Sequence, residues 1–113
     1  MVYNSLPALI AEIRASEEYR DFAAARERAM ANPDTRALLH QYHQMQIQAQ
    51  ADAVTGKSDP DKLLRLQKLG ELLQFDADAS AYLLAEYRIN TALADIYKRL
   101  AEAVGISLDM LEN

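Results

Sequence analysis

Residues 32–56 read NPDTRALLHQYHQMQIQAQADAVTG, from Asn32 to Gly56. Asn caps helices with its side-chain oxygen, and Pro suits the first helical position, where no amide donor is needed. Gly takes the left-handed turn that stops a helix. No other Pro or Gly interrupts the stretch. The pattern therefore predicts one helix over residues 33–55. At 1.5 Å per residue it is a rod of roughly 35 Å. Leu38, Tyr42, Met45 and Ala49 recur along it at helical spacing as an apolar stripe.

The same punctuation organises the flanks. Upstream, residues 6–15 form a short amphipathic helix with Leu6, Leu9, Ile10 and Ile13 on one face. Ser16 caps a second helix. Glu17, Glu18 and Asp21 set negative charge at its positive end, and Tyr19, Phe22, Ala23 and Met30 form its stripe. Downstream, Ser58-Asp59-Pro60 repeats the cap-then-proline signal and opens a fourth helix over residues 60–74. Asp76 or Asp78 caps a fifth, which runs to about Val104 before Gly105. Ser107 is placed to cap a last turn through Leu111. The prediction is an all-α fold: a single helical domain over residues 1–113, with about five helices in an elongated bundle.

Composition agrees. Among 113 residues there are 20 Ala and 16 Leu, but only three Val and three Thr. Ala and Leu enter helices at little cost, while strands favour the β-branched residues that are scarce here. Half of the chain is apolar and 26% is charged, a globular balance. Without cysteine there is no disulfide, thiol nucleophile or thiolate metal site. The longest apolar runs are too short to span a membrane, and the first 15 residues lack the pattern of a signal peptide. A net charge of -5 disfavours generic binding to nucleic acids or anionic membranes.

Two helices are long for a chain of this size. In the fifth, Tyr82, Ala85, Ile89, Ala92 and Ile96 form a ladder, with Leu93, Leu100 and Val104 beside it. Its 28 residues span roughly 42 Å, against a diameter near 35 Å for a compact domain of about this length. The excess apolar flank predicts a second copy packed by two-fold symmetry. The alternative is an elongated monomeric bundle. In the third helix, residues 37–51 contain no Asp, Glu, Lys or Arg. His40, His43, Gln46 and Gln50 lie in this gap with further glutamines. Interface cores are depleted in charge, so the gap marks a face covered by the fold or by a partner, the alternative being a neutral polar surface. The six leucines of the fourth helix (63, 64, 66, 69, 72 and 73) occupy more than one face and suggest burial on two sides or a docking face.

Candidate chemistry is sparse. His40 and His43, the only histidines, stand at i, i+3, a spacing at which two imidazoles can share a metal. No third ligand lies at helical spacing nearby. Glu86 is the best candidate for a partly buried acid, with Arg14, Arg36 or Arg99 available to neutralise it. A small-molecule- or metal-binding bundle built on His40, His43 and Glu86 is therefore the alternative functional reading. No nucleophile elbow or phosphate-binding glycine loop is present. Arg20, Arg26 and Arg28 form a local basic cluster, but interleaved acids make it a solvated face rather than a nucleic-acid surface.

The ordered set Ser16-x-x-Tyr19, Asn32-Pro33-Asp34, Leu38-Leu39, Gln46-x-x-x-Gln50 and Gly56-Lys57 resembles the YlbF/YmcA family of small bacterial helical proteins. Glu86, Ile89, Asn90, Leu93 and Ile96, then a terminal Ala-Val-Gly, extend the likeness over residues 6–105. The YheA-like branch is similar in length. The resemblance implies an all-helical, non-enzymatic protein that self-associates, usually as a dimer. It also implies a cytoplasmic regulator of competence, sporulation and biofilm formation, working in a complex that binds the endoribonuclease RNase Y. In relatives that complex is associated with iron–sulfur clusters held by cysteines. The absence of cysteine here means that this cofactor is not carried over, and none is expected.

Overall fold

Four of the five helices begin on a side-chain oxygen. The computed structural model describes residues 2–106 and contains α1 (Leu6–Arg14), α2 (Glu17–Ala31), α3 (Pro33–Thr55), α4 (Pro60–Leu73) and α5 (Ala77–Ala103). No strand occurs among the described residues, so the all-α expectation holds. The expected turn after Ser107 lies outside them.

The caps are those the sequence predicts. Ser16 Oγ accepts from the Tyr19 amide at 3.2 Å and donates to the Ile13 carbonyl, tying the end of α1 to the start of α2. Asn32 Oδ1 accepts from Asp34 and Thr35, and Asp59 Oδ1 accepts from Asp61. Of the two candidates for α5, Asp76 is the cap: its Oδ1 accepts from the amides of Asp78 and Ala79. Such a cap contributes about 1 kcal/mol. Gly56 closes α3 at φ 73°, where any Cβ would be strained.

Residues 24–83 form one compact unit, and residues 2–23 with 84–106 form another. In the first of these, α3 packs along α4. Its core comprises Ala25 and Ala29 of α2, Leu39 of α3, Leu73 of α4, and Ala79 and Tyr82 of α5. The deepest positions of α2 here are alanines, flanking the large residues of its predicted stripe. Gly70, the one glycine inside a helix, lets α4 approach α3 closely, since a Cβ there would sit 3.3 Å from the Tyr42 ring.

The other unit buries Ala85, Ile89 and Ala101 of α5. Helix α1 contributes no fully buried residue: Leu9 and Ile13 are half-buried, while Leu6 and Ile10 are exposed.

Candidate functional site

Three features of the unit formed by residues 24–83, called the α2–α4 unit although it includes the start of α5, bear on function. The first is the charge-free segment of α3. His43 and Gln46 are half-buried there, whereas His40, Gln41, Gln44, Gln48 and Gln50 are exposed. Ile47, an apolar residue in the same segment, is also exposed. Leu38, Tyr42 and Met45 of the predicted stripe are half-buried. The His43 ring lies 5.9 Å from that of Tyr82 in an edge-on arrangement and 6.4 Å from that of Tyr42. His40, His43 and Arg36 line a shallow depression of about 410 Å³ beside Met30.

The second feature is a polar lock. The Thr35 side chain, 2% exposed, donates its hydroxyl hydrogen to Asp76 Oδ2 at 2.5 Å. Asp76 thus uses one oxygen to cap α5 and the other to hold α3. The Thr35 hydroxyl, with help from the Ala79 and Asp78 amides, holds the Asp76 carboxyl below the usual aspartate range, against the opposing effect of burial.

The third feature is a cleft of about 310 Å³ between α3 and α4. One wall carries Met45, Ala49 and Asp52, and the other Lys62, Leu63 and Arg65. Asp52 is only 9% exposed. Its Oδ1 accepts from Gln48 Nε2 at 2.8 Å, and its Oδ2 lies 3.8 Å from Lys62 Nζ.

The remaining predicted positions fall on α5. Tyr82 and Ile89 are buried and Ile96 is half-buried. Further along, Leu93 (42%), Tyr97 (57%), Leu100 (57%) and Val104 (73%) are exposed. Their spacing of four, three and four residues puts them on one helical face. Glu86 is half-buried and lines an apolar groove of about 340 Å³ with Ile10, Phe22 and Leu93. It belongs to a different unit from His40 and His43. Among the described residues, no three His, Cys, Asp or Glu side chains are grouped to hold a metal ion. No helix among them is long and apolar enough to cross a membrane. Arg20, Arg26 and Arg28 are exposed, and Arg28 Nε lies 4.0 Å from Asp78 Oδ1.

Sequence reasoning missed Thr35 and Asp52. Asp52 had a visible signal: it continues the spacing of Leu38, Tyr42, Met45 and Ala49, so a carboxylate falls on the apolar stripe. Thr35 had none beyond its place in the first turn of α3.

The family described as "Control of competence regulator ComK, YlbF/YmcA" matches residues 2–105. A UPF0342 protein of Symbiobacterium thermophilum is 33% identical over 108 residues, covering 95% of this chain and 96% of its own. A UPF0342 protein of Halothermothrix orenii is 28% identical over 113 residues, covering 99% and 94%. One from Desulfitobacterium hafniense is 30% identical over 104 residues, covering 91% and 84%.

Proposed function

We propose a regulatory role from one premise: the chain belongs to the YlbF/YmcA family, whose match spans residues 2–105. In this reading it is a non-enzymatic, cytoplasmic adaptor that acts through helix-face contacts, first with a second copy of itself and then with a larger partner. The family resemblance makes RNase Y, or a paralogue of the family, the partner to test.

The observation that supports contact as the mode of action is the exposed α5 stripe of Leu93, Tyr97, Leu100 and Val104. Monomeric proteins expose single apolar residues freely, but an aligned set of this kind marks an interaction surface. Burying each side chain against a second copy is worth about 1.5–3 kcal/mol at full burial, and less here because each is already part-covered. The charge-free face of α3, with His40, His43, Gln46 and Gln50, is assigned to the larger partner.

Affinity purification of the tagged chain from its native host, with mass spectrometry, tests this reading. The expected result is recovery of a defined partner, lost in the double variant Gln46→Glu, Gln50→Glu. Charge placed in a covered face is costly, whereas an exposed face tolerates it. Recovery of the chain alone, or full retention of the partner by the double variant, would contradict the proposal.

A further inference from the structure

The α3–α4 cleft holds a carboxylate with one oxygen hydrogen-bonded and the other in a long ion pair. Asp52 is nine-tenths buried, yet only Oδ1 has a hydrogen bond, from Gln48. The nearest cation to Oδ2 is Lys62 Nζ at 3.8 Å, beyond hydrogen-bond length. With its ion-pair partner beyond hydrogen-bond length, Oδ2 can accept a charge-assisted hydrogen bond from a further N–H group at the cleft. One turn beyond Lys62, Arg65 lines the same cleft, exposed and with no hydrogen-bond or ion-pair partner among the described residues. Its guanidinium suits a planar carboxylate. Met45, Ala49 and Leu63 supply apolar surface between these charges.

We infer that this cleft binds a free α-amino acid with an apolar side chain. The ligand ammonium donates to Asp52 Oδ2, its carboxylate accepts from Arg65 with Lys62 nearby, and its side chain covers Met45, Ala49 and Leu63. Asp52 and Asp59 balance Lys62 and Arg65 in the cleft lining, so a zwitterion matches it better than an ion of either sign. At about 310 Å³ the cleft lies at the small end of ligand pockets, which suits a metabolite of this size. Its lining shares no residue with the contact surfaces proposed above, and the inference does not rest on the regulatory reading.

Amide chemical shifts of the full-length chain, followed by NMR during titration with L-leucine, test the inference. Two probes each lack one charge: isoamylamine has no carboxylate, and 4-methylpentanoate has no ammonium. L-Leucine should shift amides of α3 and α4 around Asp52 and Arg65, at millimolar concentration or below. Each truncated probe should bind at least about tenfold more weakly, the loss expected for one charge-assisted hydrogen bond. Arg65→Ala, at an exposed position that leaves folding intact, should weaken L-leucine by a similar factor, and Asp52→Asn should do so if it folds. An unchanged spectrum with L-leucine would overturn the inference. Equal binding of isoamylamine would also overturn it and make the cleft a site for organic cations. So would full affinity in Arg65→Ala.

Discussion

The α2–α4 unit and the C-terminal half of α5 use the same residue types to different ends. In the former, Leu39, Leu73 and Ala79 are fully covered, and Thr35 and Asp76 join α3 to the start of α5. In the latter, Ala101 is covered, but Leu93, Tyr97, Leu100 and Val104 are not. The first region is closed by its own side chains. The second carries an apolar face of comparable composition with much of its area left in water. This contrast separates residues that hold the fold from residues available to a partner, and substitutions can break it.

The largest effect is expected at Leu39. Leu39→Ala removes a side chain with no exposure and should cost about 2–5 kcal/mol, read as a fall in the denaturation midpoint. A loss below about 0.5 kcal/mol, the range of ordinary surface changes, would erase the contrast.

Asp76→Ala comes next. It removes the α5 cap and strands the buried Thr35 hydroxyl, for an expected loss of about 2–3 kcal/mol. The same carboxylate gives a pH dependence. Its folded pKa lies below the unfolded value, so its contribution is fully present above that value, about 3.9, and is lost as pH falls through the folded one. Acid titration of stability should therefore be shallower below about pH 4 in Asp76→Asn than in the parent.

Leu100→Glu should be gentler on the isolated chain. Measured at high dilution, stability should change by no more than about 0.5 kcal/mol, as for an exposed site. Self-association should nevertheless fall sharply, because a charge would enter the proposed contact. A large loss of stability at dilution would show that Leu100 supports the fold of one chain. The smallest effect is expected at Arg99, whose guanidinium pairs with Asp95 one turn away at 3.1 Å on an exposed surface. Arg99→Ala should cost at most about 0.5 kcal/mol in a thermal melt.

Helix boundaries were legible because their causes are local. Ser16, Asn32 and Asp59 bond to amides within three residues, and Gly56 needs only its own φ. Asp76 was only half legible. Its cap is local, but its bond to Thr35 spans 41 residues and depends on how α3 meets α5. Gly70 shows the same limit: its place inside a helix makes sense only beside the Tyr42 ring. The α5 ladder was visible as a period, yet period alone does not distinguish Ile89, which is buried, from Leu93 four residues on, which is exposed. Which positions are covered depends on the elements packed against the helix. For the candidate sites, Asp52 could be read from the α3 stripe, whereas its pairing with Lys62 required the hairpin of α3 and α4.

Self-association through α5 is the central claim, and the mass of the full-length chain in solution tests it most directly. Sedimentation equilibrium should return the mass of two chains, or a multiple of two, and Leu100→Glu should return one. A wild-type chain that sediments as a monomer across the whole concentration range would contradict the account.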